Sequence, residues 1–308
     1  MTESTPSATD PSGPASTDSP LTEAQLSEAK EYNRLELICD LADRAVDLSF
    51  LAIMSFVFAR SLDGWLSTFP WLETLTARLA AMFLLVTGIH ILVSFPLSLY
   101  SGHILEHRYE LSRQSFGAWL WRYAKRNFLT LVLGLAMLQG LYWMIWLTGP
   151  IWWLVAAAGY FAVSVLLGQL APVLILPLFY KIERLEDDTL KTRLAGLSEG
   201  TGLSIEGVYR MKMSDETVKA NAMLAGLGGT RRVILGDTLL DGFSTDEIEV
   251  IFAHEIGHHV HKHLRQMLIY GVIFSLAGFF VADRLLALWV GSIEGGVDYA
   301  NLPVYTLP

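Results

Sequence analysis

Charged residues are scarce in this sequence of 308 residues. Asp, Glu, Lys and Arg together make up only 17% of it, whereas a soluble domain usually contains about 25%. Hydrophobic residues account for 52%, and many of them occur in long uninterrupted runs. This balance excludes an ordinary soluble globular protein. It indicates an integral membrane protein with a soluble part, for which the lipid bilayer is the first expected partner.

Cysteine is also scarce, and the sequence has no excess of basic residues. Cys39 is the only cysteine, so an intrachain disulfide and a thiolate zinc site of the Cys-x-x-Cys type are both impossible. The net charge of −9 argues against a nucleic-acid partner. Residues 1–28 are rich in Ser, Thr, Pro and Asp and should form a disordered tail. This region has no basic segment followed by an apolar run, so no cleavable signal peptide is expected.

Five apolar stretches approach or exceed the roughly 20 residues that a helix needs to cross a bilayer. They lie near residues 45–62, 79–100, 128–148, 151–179 and 266–290. The first stretch contains Asp47. Either this carboxylate has a partner or a watery cavity inside the membrane, or the span begins after it. Pro172 and Pro177 should kink or end the fourth helix.

The basic residues orient the predicted helices in the membrane. Five of them lie between the second and third stretches: Arg108, Arg113, Arg122, Lys125 and Arg126. The turn at residues 148–150 contains none, so the positive-inside rule places the first connection and residues 181–265 on the cytoplasmic side. The predicted division is a tail (1–28), a membrane bundle of about four helices (29–180), a soluble domain (181–265), a membrane helix (266–290) and a terminal loop (291–308).

The soluble segment has the pattern of a mixed α and β domain. Residues 184–200 resemble an amphipathic helix, and residues 208–213, 221–224 and 232–235 resemble strands, the last two flanking a glycine-rich turn. A Ser244–Glu247 capping box predicts that another helix begins there. A sheet with an exposed edge beside such a helix commonly holds an extended peptide through backbone pairing.

That helix contains the most informative motif of the sequence, His254-Glu255-Ile256-Gly257-His258. It matches the pattern H-E-x-x-H. On a helix the two histidines project from one face, so both can bind one Zn²⁺ at about 2.0–2.1 Å. Glu255 can then act as general base toward the zinc-bound water. The alternative is a helix whose polar face carries ordinary solvated histidines.

The motif belongs to a longer succession of short sequences. Lys219-Ala220-Asn221-Ala222 and residues 233–240 (VILGDTLL) precede it, and His263 follows it. This succession resembles the M48 family of membrane zinc peptidases. Residues 96–100, 106–109 and 177–181 resemble the Ste24-type CAAX prenyl proteases within that family, and the resemblance covers about residues 35–290.

The resemblance implies a fold, a cofactor and a set of site residues. The expected fold is an α-helical polytopic membrane protein with a small α+β zincin-like cytoplasmic domain. His254 and His258 would be zinc ligands, and Glu255 would be the catalytic base. Asn221 and Ala222 would lie on the edge strand that holds the substrate, although Asn221 taken alone reads as a turn residue before a strand. His263 is expected to support a ligand rather than to bind zinc.

The third zinc ligand is where the sequence departs from the known patterns. A histidine at position 264 would complete a metzincin site, but this residue is Leu264. The M48 ligand is a glutamate in a later Glu-x-x-x-Asp motif, and no such motif follows here. Asp283, Glu294 and Asp298 are the acids downstream, and none of them is expected to be a ligand. The chain is therefore expected to be either a truncated piece of a longer peptidase or a short paralogue that has lost catalysis.

The expected function is that of a membrane-embedded zinc metalloendopeptidase in which Glu255 activates a zinc-bound water. Its substrates would be peptides or proteins, including lipidated or membrane-associated ones. Two alternatives stay open at this point. One is an HtpX-like protease that degrades misfolded membrane proteins. The other is a catalytically incomplete membrane module that binds peptide or metal weakly.

Overall fold

The computed structural model describes residues 22–199, 201, 205–226 and 231–294. The chain divides into two compact units, one up to Ala42 and one from Asp43 onward. The first helix, α1 (Glu23–Ile53), runs through this boundary.

The start of α1 corrects the predicted extent of the N-terminal tail. The Oγ1 atom of Thr22 accepts a hydrogen bond from the Gln25 amide (3.3 Å), and Gln25 Oε1 accepts one from the Thr22 amide (2.9 Å). This reciprocal pair is a capping box, which fixes the beginning of a helix. Residues 23–28, predicted to be disordered, are therefore helical. The rest of that prediction, residues 1–21, lies outside the described part of the chain.

The helices of the N-terminal half are long and are interrupted by short π-helical segments. Their bounds are α1, α2 (Ala59–Leu66), α3 (Leu75–Leu99), α4 (Glu106–Arg108), α5 (Phe116–Thr148), α6 (Trp152–Leu170) and α7 (Leu176–Phe179). The π-helical segments are Met54–Phe58, Tyr100–Leu105 and Ala171–Ile175. The last of these contains Pro172 and is followed by Pro177 in α7, which ends two residues later. The predicted disturbance at the two prolines is confirmed.

The second half contains a four-stranded sheet and four helices. The strands are β1 (Lys181–Arg184), β2 (Ile205–Lys212), β3 (Ala222–Ala225) and β4 (Arg231–Gly236). The helices are α8 (Asp188–Ser198), α9 (Asp237–Gly242), α10 (Thr245–Val260) and α11 (His263–Glu294). Helix α11 begins three residues before the predicted span. It also continues through residues 291–294, which were predicted to be a loop; residues 295–308 are not described.

Four helical segments among the described residues are long and apolar enough to cross a membrane: residues 23–66, 75–108, 116–179 and 263–289. The third contains both α5 and α6, joined by a short 3₁₀ turn. Each of the five predicted apolar stretches therefore falls within a helix.

Asp47 has a partner inside this helical region. Its Oδ1 atom lies 2.9 Å from Nε2 of His90 on α3, and Ser94 Oγ lies 3.3 Å from the same nitrogen. Helix α1 begins well before Asp47, and His90 is a partner of the kind that the first interpretation requires. Burying an acid among apolar helices is costly unless it is paired in this way.

Helix α11 is fixed against α6 by polar contacts as well as by apolar packing. The indole N–H of Trp152 donates to Asp283 Oδ1 (2.7 Å), and Ser275 Oγ donates to the carbonyl of Ala157 (3.0 Å). Asp283 is 5% exposed. This acid in the last apolar span thus has a structural partner, as expected for a buried carboxylate.

The order of the strands in the sheet is β1-β2-β4-β3. Strands β2 and β4 are parallel, and the two outer pairs are antiparallel. One face packs on α8 and α10 through a buried cluster that includes Leu194, Val233, Leu235 and Phe252. The other face packs on α7 and the residues after it. Because β3 and β1 are the outer strands, each has one edge without a strand neighbour in the part of the chain that the structure describes.

The soluble domain is also tied to the segment that precedes α5. The amide of Arg113 donates to the Glu216 carbonyl (3.0 Å), and the amide of Val218 donates to the Leu111 carbonyl (3.2 Å). Arg122 on α5 forms an ion pair with the Glu216 carboxylate. This short antiparallel pairing positions the chain that leads into β3.

Candidate metal and substrate site

Helix α10 is oriented by its start and by its apolar face. The predicted capping box forms, because Glu247 Oε2 accepts from the Ser244 amide (2.7 Å) and Ser244 Oγ accepts from the Glu247 amide (3.4 Å). Ile248, Phe252 and Ile256 recur every four residues and are buried against the sheet. Since these residues share one face of the helix, the polar residues of the motif are turned away from the core.

An arginine on α8 fixes the first turns of α10 from the side. The guanidinium of Arg193 donates to Asp246 Oδ1 (2.6 Å) and to both carboxylate oxygens of Glu249, at 2.9 Å for Oε2. The hydrogen bonds that Arg193 donates to Glu249 and, to a smaller extent, to Asp246 raise the pKa of Arg193. The fork therefore links α8 to the helix that carries the motif.

The three motif residues lie together on α10. The Nε2 atoms of His254 and His258 are 3.2 Å apart. Two nitrogens bound tetrahedrally to one zinc ion at 2.0–2.1 Å would be about 3.3 Å apart. Glu255 completes the group, in which the ligand atoms all lie within 4.8 Å of one another. Both histidines are exposed, so a metal ion could reach them without opening the core.

His263 contacts the ring of His258 on the side opposite the nitrogen that faces His254. Its Nδ1 atom is 2.7 Å from Nδ1 of His258. The contact is possible because α10 ends at Val260 and α11 begins at His263, with Lys262 in the left-handed region (φ 55°) between them. A histidine that binds a metal through one nitrogen usually uses the other in such a hydrogen bond.

His254, Glu255 and His258 form the one cluster of metal-binding side chains that the described residues contain. Two imidazoles in tetrahedral spacing beside a carboxylate are a donor set that suits zinc. A catalytic zinc site has three protein ligands and one open position. Among the described residues, no other histidine, cysteine or acid belongs to this group of ligand atoms within 4.8 Å of one another.

Strand β3, beside α10, presents a free edge to a possible peptide. The amide of Gly236 donates to the carbonyl of Asn221 (2.8 Å), and the pairing continues as Met223 opposite Ile234. Hydrogen-bonded pairs alternate with non-hydrogen-bonded pairs in an antiparallel ladder. Asn221 and Met223 therefore direct their backbone groups to β4, whereas Ala222 and Leu224 direct theirs to the free edge.

Gly236 makes this close pairing possible. A Cβ atom there would lie 2.6 Å from Met213 Sδ and 3.2 Å from the Asn221 carbonyl oxygen. Any side chain at this position would push β4 away from its neighbours. The glycine thus helps to hold Asn221 and Ala222 at the start of the edge strand.

Asp237 is an important residue that sequence reasoning quoted in a motif but did not assign. It is 1% exposed and accepts hydrogen bonds from the amides of Met213, Ser214 and Thr238 (2.8, 2.9 and 3.0 Å) and from Ser214 Oγ (2.6 Å). Burial alone would raise the pKa of Asp237, but these four hydrogen bonds together lower it below its ordinary value. The carboxylate joins the end of β2 to the start of α9.

Two sequence families match the chain. Residues 7–181 match the CAAX prenyl protease N-terminal region, described as five membrane helices, and residues 184–296 match peptidase family M48. An uncharacterized metalloprotease, YhfN of Bacillus subtilis, is 28% identical over 293 residues, covering 92% of this chain and 68% of that protein. CAAX prenyl protease 1 of Saccharomyces cerevisiae is 32% identical over 201 residues, covering 62% of this chain and 44% of the yeast protein.

A solved structure has the same fold. The crystal structure of S. mikatae Ste24p superposes with a TM-score of 0.75 at 24% identity, covering 85% of this chain and 63% of that one. The chain spans about half the length of the CAAX prenyl proteases of S. cerevisiae and Taenia solium that it matches. It is thus an integral membrane protein with several spanning helices and a small soluble sheet domain.

Proposed function

Because the chain belongs to the M48 family of peptidases and carries the membrane region of the CAAX prenyl proteases, we propose that it acts as a membrane-embedded zinc metalloendopeptidase. The observation that carries the proposal is the 3.2 Å separation of the two Nε2 atoms of His254 and His258, with Glu255 in the same cluster. Family membership supports a metal cofactor, and the two imidazoles make zinc the best fit among the common metals.

The residues of this chain have distinct roles in the proposed reaction. His254 and His258 would hold the zinc ion, and His263 would fix the ring of His258 through its Nδ1 contact. When bound, zinc lowers the pKa of water and polarises the carbonyl of the scissile bond. Glu255 would take a proton from the attacking water and deliver it to the leaving amine. No covalent intermediate between enzyme and substrate is required.

The substrate would be held in an extended conformation along β3. The free N–H and C=O groups of Ala222 and Leu224 can pair with a peptide backbone in the manner of an added strand. Asn221 would contribute by fixing the start of the strand through Gly236. This arrangement favours an unfolded or flexible peptide segment over a folded surface, because only an extended backbone can pair with the edge.

The setting in the membrane favours substrates that are themselves at the bilayer. The relatives named CAAX prenyl protease support a lipidated or membrane-associated protein as substrate. The basic residues before and within the start of α5 support a cytoplasmic position for the soluble domain. The net charge of −9 argues against a nucleic-acid partner.

Replacing the proposed base tests the function directly. The protein expressed from its whole reading frame and purified in lipid nanodiscs should bind zinc in both the unchanged form and the Glu255→Gln form. Zinc-dependent cleavage of a fluorogenic peptide should be seen only in the unchanged form, because glutamine cannot accept the proton. Asp241→Asn, which alters an exposed carboxylate on α9, serves as the control. Cleavage that persists in Glu255→Gln would refute the assignment.

A further inference from the structure

A cavity of about 650 Å³ lies along the free edge of β3. Residues 223–225 of the strand line it consecutively, as does Gly226, which follows the strand. Side chains of successive strand residues point to opposite faces of the sheet. A cavity that contacts several successive residues therefore lies beside the edge of the strand and is not confined to one face of the sheet. Its volume is within the range of about 300–1,000 Å³ that ligand pockets have.

The opposite walls of this cavity come from the membrane helices α6 and α11. None of the described residues that line it is charged, and most of its surface is apolar. The lining begins at Leu264 and continues at Met267 and Gly271 along α11. Leu264 follows His263 directly, so the lining starts one residue after the histidine that contacts the His258 ring. The cavity and the metal cluster are therefore neighbours along one helix.

Small residues keep the α6 wall open. Gly168 lines the cavity, and a Cβ atom at this position would meet no atom within 4 Å. Ser164 lies one turn before it on the same helix. These residues leave room for a group that enters from the side of β3.

We propose that this cavity, the α6/α11 pocket, receives large apolar side chains of the peptide that pairs with β3. The proposal rests on the proposed function, because it needs an extended substrate on the free edge. The backbone of that peptide would run along the cavity, and alternate side chains, those on the face turned toward α6 and α11, would enter the pocket. The pocket would then select substrates with bulky apolar residues two positions apart, through the burial of hydrocarbon surface.

Peptide binding tests the pocket separately from catalysis. Two fluorescent peptides would be compared, one with Leu and Phe two positions apart and one with Ala at both positions. The protein would carry Glu255→Gln to prevent cleavage and would be held in lipid nanodiscs. The first peptide should bind at least about tenfold more tightly, since each buried large side chain contributes on the order of a tenfold change.

A matched pair of glycine variants assigns the preference to the pocket. Gly168→Leu adds a large side chain at a lining position where a Cβ atom would meet no atom within 4 Å. The tenfold preference should therefore disappear while the alanine peptide binds as before. Gly140→Leu on α5 has equally open space at its Cβ position and lies outside the pocket, so it should keep the preference. Both changes also replace a helical glycine by a better helix former.

Three results would overturn the proposal. One is equal binding of the two peptides, and another is a preference that survives Gly168→Leu. The third is a preference seen in detergent but absent in nanodiscs, which would mean that bilayer lipid occupies the pocket. A failure of the proposed function looks different, because it removes zinc-dependent cleavage and leaves the peptide preference intact.

Discussion

At the scale of single residues, the contact between His258 and His263 matters more than its sequence position suggests. His258 lies in the last turn of α10 and His263 is the first residue of α11, yet their Nδ1 atoms are 2.7 Å apart. Sequence reasoning expected His263 to support a ligand on grounds of resemblance. The physical reason is the tight connection at Lys262, which only the backbone conformation reveals.

Removing His263 should weaken metal binding. We expect His263→Ala to lower zinc affinity about 10- to 100-fold, because the hydrogen bond that orients a ligand is lost. Competition with a chromophoric chelator would measure this affinity. His261→Ala, which removes a nearby histidine without a hydrogen bond to His258 among the described contacts, should change it little. Equal affinity in the two variants would count against the supporting role.

Asp237 should have a measurable effect on the thermal stability of the protein, because the folded state stabilises its ionised form. Asp237→Asn should lower the Tm of the solubilised protein at pH 7 by about 5 °C or more, since amides buried around the carboxylate lose a charged acceptor. Its pKa is lowered in the folded state, so its stabilisation is fully present above the unfolded value of about 3.9. It is lost as the pH falls through the lower folded value.

The pH dependence distinguishes a charge effect from a change in packing. The difference in Tm between the unchanged protein and Asp237→Asn should be constant from pH 7 to pH 5 and should narrow toward pH 3. Asp215→Asn, at an exposed carboxylate paired with Lys212, provides the comparison. A gap that stays the same at pH 3 would show that the charge is not the cause.

At the scale of elements, helix α10 was the easiest to predict and β1 the hardest. The capping box at Ser244 and the apolar residues every four positions are local signals, and both appear in the structure. Strand β1, residues Lys181–Arg184, has three charged residues in four and no alternation. It forms because β2 is already present as a partner, so its own sequence gives no indication of it.

The capping box should be measurable through the stability of the domain. Ser244→Ala should lower Tm by about 2–4 °C, since losing a cap costs on the order of 1 kcal/mol. Ser244→Asp should restore it, because aspartate is an equally good cap. Thr245→Ala, one position later, should have a smaller effect. If both alanine variants were equally destabilised, the cap would not explain the loss.

Long-range contacts explain most of what the sequence did not predict. The pairing of Arg113 and Leu111 with residues 216–218 joins segments more than 100 positions apart. Two of the three residues that donate to Asp237, Ser214 and Met213, lie 23 and 24 positions before it. Neither relation leaves a periodic pattern in the sequence. By contrast, the proximity of His254, Glu255 and His258 was predictable, because they lie within about one turn of each other on one helix.

At the scale of the whole molecule, the orientation in the membrane remains a prediction. We expect residue 215 to face the cytoplasm and residue 151 to face the opposite side. Single-cysteine variants Asp215→Cys and Ile151→Cys, made with Cys39→Ser, can be labelled with an impermeant maleimide on intact cells. The Ile151→Cys form should react at once, and the Asp215→Cys form only after permeabilisation. The reverse order would place the soluble domain outside.

The pairing of β3 with β4 constrains how many residues the start of this strand contains, whatever their types. Ala222 and Leu224 offer their backbone groups to the free edge only because the Asn221 carbonyl pairs with Gly236. Inserting one residue between Asn221 and Ala222 would reverse the parity of the strand. Met223 and Ala225 would then take the outer positions, and every side chain of the strand would change face. The length of this segment is therefore constrained more tightly than its composition.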